Sequence, residues 1–345
     1  VITQLLHTEK STHIEILLQS SNELPTRLKN TLLNLHHSTK DFVLDYSTER
    51  NHYLDRVNST KDIFTAILDI LDYCNIDPNR VTFLSGNYLI SENYERYCDL
   101  YDRPKFKTVA TKEFWLKQTV DTHTDISDNY SDSIRPYYFS CLNGVSRPQR
   151  IQACEFLFEN NLIDKSKCTF MFDRDAINLF YDKSLGYIAE QLPIEIQPKR
   201  DQSGYHMCHA PQHQDFYDVF YGSYFDVITE TSAGFYVPFS WWKDIFYTEK
   251  LWRSIFYKRP FLLIGDYKAL DQLKKIGFKT FENILFDESY DNIFDPEQRV
   301  DAVLEQTKNI CSKYTIQELH DLLNSSQINE VLEFNYNMIN KLAQS

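Results

Sequence analysis

Positive charge is in short supply in this chain. Its 345 residues include 36 Lys and Arg against 49 Asp and Glu, a formal net charge of −13. Nucleic-acid binding rests mainly on neutralising phosphates, so DNA is a disfavoured partner unless a local basic groove exists. Glycine is sparse too, at 8 residues, and none falls in a Gly-x-x-x-x-Gly-Lys loop, a Gly-x-Gly-x-x-Gly fingerprint or a nucleophile elbow. Those three phosphate-binding and hydrolytic motifs are therefore excluded. No run of 18 apolar residues occurs, so no membrane span is expected. The opening residues Val1 to His7 lack a basic stretch followed by an apolar core, the mark of a secretory leader. The 7 cysteines are dispersed without paired spacing, which points to reduced thiols and a cytoplasmic setting.

What remains is an ordinary globular composition, 42% hydrophobic and 25% charged, with 23 Tyr and 24 Phe. A single core stops growing at roughly 250–300 residues, so two domains are expected. Strand-like runs at 14–18 and 42–46, an amphipathic helix over 62–73, a strand at 81–87 and a helix from Ser91 alternate through the first third. The polar stretch 121–136 reads as a linker. Alternation then resumes: strand 137–142, turn 144–148, helix 149–159, strand 168–172, strand 225–231, strand 261–265, and a helix from Tyr267 closed by Gly277. The pattern predicts an α/β fold with parallel sheets. The domains are read as 1–130 and 137–315, with a terminal helix at about 316–342 within a tail of 316–345. Residues 174–223 show no clear periodicity.

Ligands of open α/β sheets gather beyond the carboxyl ends of strands, and three candidate sites lie at such places. Arg147 and Arg150 flank a helix-opening turn after strand 137–142, where guanidinium forks grip a diphosphate. Two solvated arginines are the plainer reading. Glu230 ends its strand and offers a carboxylate to a ribose or sugar hydroxyl, or is a simple loop acid. Thr248 caps a helix whose first turn holds Glu249 and Lys250. A cation against the positive end of a helix dipole implies an anion between them, and phosphate is the natural one; an exposed charged pair is the alternative. His206, Cys208, His209 and His213 form a cluster of metal-ligand types whose spacing fits no zinc pattern, so no metal site is expected.

The segment Thr248-Glu249-Lys250, followed by Trp252, Pro260 and an apolar strand ending in Gly265, resembles the donor-binding motif of the family 10 α-1,3-fucosyltransferases. It is equally similar to a group of phage-encoded glycosyltransferase-like proteins. The resemblance is strongest over 224–292 and weaker over 137–163. It departs from the fucosyltransferases at Trp241-Trp242, whose rings fit a sugar pocket or a core, and at the strand Phe-Leu-Leu-Ile, where those enzymes favour valines. These departures leave fucose and GDP open. Gly277 to Phe281 and Phe286 to Asp291 are closer to the phage-type group, chiefly as a structural signature, with Asp287 and Glu288 as candidate cleft residues.

The resemblance implies two Rossmann-like domains facing across a cleft, the glycosyltransferase B arrangement, with the terminal helix crossing back to the first domain. It implies an inverting transfer from a nucleotide-diphosphate sugar to a glycan or other hydroxyl acceptor, without a metal or other cofactor; no Asp-x-Asp lies near 248–250. Glu249 would bind the ribose. Lys250, with Arg147 or Arg150, would stabilise the leaving diphosphate. The base would come from the first domain, with Asp45, Glu92 and Glu95 as candidates. A phage-type DNA-base glycosyltransferase and a non-catalytic binding or structural protein are the alternatives.

Overall fold

The computed structural model describes residues 2–7, 11–16, 24–35, 37–46, 62–111, 113–122, 133–144, 146–170, 221–235 and 241–344. The chain forms two compact units, 1–114 with 236–246 and 115–235 with 247–345.

The first unit is built on β1 (Ile2–His7), β2 (Ser11–Ile16), β3 (Asp41–Tyr46), β4 (Val81–Ser85) and β5 (Lys107–Ala110), in that spatial order. The β1–β2 pair is antiparallel and the rest are parallel. Helices α1 (Leu24–Leu35), α2 (Ile63–Tyr73) and α3 (Ile90–Tyr101) intervene; α4 (Glu113–Thr122) follows in sequence and falls almost wholly in the second unit. Asp62 caps α2, accepting from Phe64 N at 3.0 Å and Thr65 N at 2.9 Å. Parallel crossovers are right-handed as a rule, so an order that never reverses puts the connecting helices on one face. Burial agrees: β3 buries Phe42, Leu44 and Tyr46, and β4 buries Val81, Phe83 and Ser85, while the residues between them are more accessible.

The second unit differs in both respects. Its strands β6 (Tyr137–Asn143), β7 (Ser166–Phe170), β8 (Ser223–Thr229) and β9 (Phe261–Ile264) are all parallel and lie in the order β7-β6-β8-β9. Every residue of β8 and β9 is buried, as in a sheet covered on both faces. Helix α5 (Pro148–Glu159) follows β6, and α6 (Glu249–Phe256) joins β8 to β9. Then come α7 (Ala269–Lys275), α8 (Pro296–Lys313), α9 (Ile316–Leu323) and α10 (Ser326–Ala343). The α/β class with parallel sheets is as expected.

The run 316–342, expected as one helix, is two. Asn324 ends α9, and Ser325 adopts an extended backbone (ψ 149°) before α10 begins. Serine and asparagine favour caps over helix interiors because their side chains compete for backbone partners. Helix α10 packs on α6: the Phe256 and Tyr336 rings are 5.8 Å apart, and Lys258 meets Glu333 at 2.7 Å.

Candidate functional site

The strand order of the second unit reverses between β6 and β8, and a crevice opens at the carboxyl ends of strands that diverge in this way. Strand β6 ends at the fully buried Asn143, whose carboxamide oxygen accepts the hydroxyl of Thr229 at the end of β8. Pro148 then starts α5 with a preset φ. Arg147, at the N-cap, is extended and makes no side-chain cap bond. In the first turn, Gln149 donates to the Glu230 carbonyl at 2.8 Å, and Arg150 Nη2 lies 3.4 Å from the Thr229 carbonyl. The start of α5 is thereby stitched to the end of β8.

Glu230 ties in the second helix. Its carboxylate is 1% exposed and accepts from Thr248 N at 3.0 Å, Thr248 Oγ1 at 2.6 Å and Thr231 N at 3.3 Å. The Thr248 hydroxyl in turn accepts from Lys250 Nζ at 3.0 Å, and Lys250 Nζ meets Glu249 Oε1 at 2.9 Å. A continuous chain of hydrogen bonds therefore runs from Glu230 through Thr248 and Lys250 to Glu249. One layer deeper, Asp226 of β8 accepts from Ser254 of α6 at 2.7 Å, Ser140 of β6 at 2.5 Å and Arg259 Nε at 2.9 Å. Arg259 is 1% exposed and also reaches the Ser223 carbonyl and hydroxyl, each at 2.8 Å. A buried ion pair so fully hydrogen-bonded holds α6 in one position against the sheet.

The charges of this edge share one field. Burial pushes the Glu230 carboxyl up, Lys250 and the Thr248 hydrogen bonds pull it down, and Glu249 adds a push upward. Burial lowers Arg150 to about 10, helped by Arg147, while Glu230 and Glu249 hold it up. Arg147, Arg150 and Lys250 thus face two carboxylates, beside the N-terminal turns of α5 and α6. Free N–H groups and the helix dipoles add further positive potential. Such an edge suits an anion with several oxygens.

The structure brings together Arg147, Arg150, Glu230, Thr248, Glu249 and Lys250. The sequence casts Glu230 as a partner for a ligand hydroxyl; its oxygens instead hold Thr248 and Thr231. The base candidates belong to the first unit, Asp45 half-buried near the end of β3 and Glu92 and Glu95 exposed on α3. Asp287 is exposed and caps a short 3-10 turn through Ser289 N at 2.9 Å. Glu288 is buried and holds a turn, accepting from Thr280 Oγ1 at 2.6 Å and Phe281 N at 2.8 Å, with Lys274 at 3.2 Å. Trp242 is 3% exposed and packs 5.5 Å from Phe64 in the first unit. The His206–His213 cluster lies outside the described residues. Among the described residues, no group of three or more His, Cys, Asp or Glu is placed to hold a metal. None of the described helices is long and apolar enough to cross a membrane.

Sequence reasoning missed Gln149 and the Asp226–Arg259 pair. The signal for the pair was present: an acid inside the apolar run Tyr224 to Ile228 must be paired or functional. In comparisons with known proteins, no family model, no curated protein and no solved structure matches this chain.

Proposed function

We propose that the second unit binds the diphosphate of a nucleotide sugar at its carboxyl edge, and that the protein is a glycosyltransferase acting on a hydroxyl acceptor. The observation that carries this reading is a coincidence of position. Arg147, Arg150 and Lys250 gather with two helix N-termini where the order of a doubly covered parallel sheet reverses. In the proposed reaction, the acceptor oxygen attacks the anomeric carbon as the bond to the diphosphate breaks, inverting that centre. The charge leaving on the diphosphate is met by Lys250 and the arginines, with no metal required. Glu249 anchors the ribose. Such an enzyme takes its donor and acceptor on separate α/β units, and the base candidates Asp45 and Glu95 belong to the first.

A thermal-shift screen of UDP, GDP, CMP, ADP, dTDP and their sugar conjugates, beside Lys250→Ala, tests the reading. A ligand at 100 times its Kd stabilises by about 2.7 kcal/mol. One nucleotide should protect the parent and fail to protect the variant, and Lys250→Ala should cut turnover at least about 100-fold. An active variant with unchanged donor affinity would remove Lys250 from the mechanism. The Lys250–Glu249 contact at 2.9 Å also favours a second reading, a non-catalytic protein in which the lysine only pairs with its neighbour. That reading gains if no nucleotide protects.

A further inference from the structure

Strand β9 is followed by Gly265, Asp266 and Tyr267, and the Tyr267 ring stands 5.4 Å from that of Phe294 at 75°. Both rings are open to solvent, Tyr267 at 37% and Phe294 at 80%. A lone exposed aromatic is ordinary on a protein surface. This pair differs because its backbone is pinned from beneath. Arg299 is 2% exposed and directs its guanidinium at loop carbonyls: Ile293 at 2.6 Å, Phe294 at 3.0 Å, Gly265 at 3.1 Å and Ala233 at 2.7 Å. One buried cation therefore fixes the turn carrying Phe294, the exit of β9 and the loop that follows Glu230. Gly234 stands at φ +78°, and a Cβ there would lie 3.1 Å from Arg299 Nη2, so the clamp also explains the glycine.

The clamp ties the aromatic corner to the edge that carries the anion site. Ser232, two residues after Glu230, donates to Asp266, next to Tyr267. The Glu230 N–H reaches the Ile264 carbonyl at 2.9 Å. Strand β9, which leads to Tyr267, is the neighbour of β8, which leads to Glu230, and adjacent strands lie roughly 5 Å apart. In a β-α-β unit whose first helix N-terminus takes the phosphates, the nucleoside extends toward the end of the next strand. Here that strand is β9.

We infer that the exposed Phe294 ring, buttressed edge to face by Tyr267, is the platform on which the base of a nucleoside diphosphate stacks. The inference rests on the proposed function, since it takes the anion site to hold the diphosphate. Any base offers a π-face, so the platform supplies affinity with little choice among bases. Lys268 and Asn292 are hydrogen-bonded to each other beside Tyr267.

Calorimetry with UDP, GDP, ADP and inorganic pyrophosphate separates the parts. The parent should bind at least one nucleoside diphosphate more tightly than pyrophosphate. Phe294→Ala removes a ring with little buried surface, so the variant should fold. It should weaken the nucleotide about tenfold or more and leave pyrophosphate unchanged, whereas Phe294→Trp should preserve nucleotide binding. If Phe294→Ala and Tyr267→Ala both keep the full advantage of nucleotide over pyrophosphate, the platform is wrong and the anion site stands. If the parent binds neither nucleotide nor pyrophosphate, the anion site itself is wrong and the platform falls with it.

Discussion

Glu230 carries a charge that its burial opposes. Its carboxyl titrates above its ordinary value near 4.5, because desolvation outweighs Lys250 and the Thr248 hydrogen bonds. An acid with a raised folded pKa binds more protons folded than unfolded. Its contribution to stability is therefore greatest at low pH and falls as pH rises from about 4.5 through the folded value. Around it stand Thr248, Glu249 and Lys250 on α6 and Arg150, with Arg147, on α5. In Glu230→Gln this contribution is gone, although one acceptor of the Thr248 pair is lost as well. Denaturant melts should show the variant gaining on the parent as pH rises through that window, with a constant difference above it. A difference independent of pH from about 4 to 8 would mean that burial does not oppose the Glu230 charge.

Elements were most legible where punctuation is local. Gly277 closes α7 at φ +103°, as its place after the last apolar residue of the helix implied. An added Cβ would meet Met338 Cε at 2.3 Å, the movable end of a flexible side chain, so backbone strain is the main expected cost of Gly277→Ala. The midpoint of urea unfolding should fall by an amount equivalent to about 1–3 kcal/mol with an unchanged slope; an unmoved midpoint would mean the αL position is not enforced. Local signals also placed Arg147, Arg150, Glu230 and Thr248 to Lys250, because strand ends and helix starts can be read from Pro148, Thr248 and the apolar runs. Other features escaped, three of them instructive. Strand β5 is four residues long and only partly buried, too weak a pattern to register. Helix α1 buries Leu28 and Leu32 four residues apart, a spacing that was there to be read. The order β7-β6-β8-β9, which gives the site its crevice, follows from pairings across the unperiodic stretch 174–223, and no local pattern encodes it.

At the scale of the whole molecule, sequence order and compact unit part company over 236–246. The chain leaves the second unit after Phe235, joins the first, and returns at Tyr247, one residue before the cap of α6. The first unit holds this strap through two fully buried asparagines. Asn87 Nδ2 donates to the Lys243 carbonyl and to Asp244 Oδ1, both at 3.0 Å. Asn93 reaches the same carbonyl at 2.7 Å and accepts from Lys243 N at 2.9 Å. Trp242 enters the core built by Phe42, Phe64, Phe83 and Tyr97, and its indole N–H is satisfied by Asp244 at 2.8 Å. Of the two places the sequence leaves open for this ring, a sugar pocket or a core, it occupies a core, in the unit remote from it in sequence. Trp242→Ala should accordingly cost the first unit about 3–5 kcal/mol, although its neighbours in sequence belong to the second. Hydrogen exchange locates the loss: amides of β3, β4 and α2 should exchange faster, while those of β8 and β9 keep their protection. Faster exchange in β8 and β9 with β3 and β4 unchanged would assign Trp242 to the other core and undo the division of the chain into these two units.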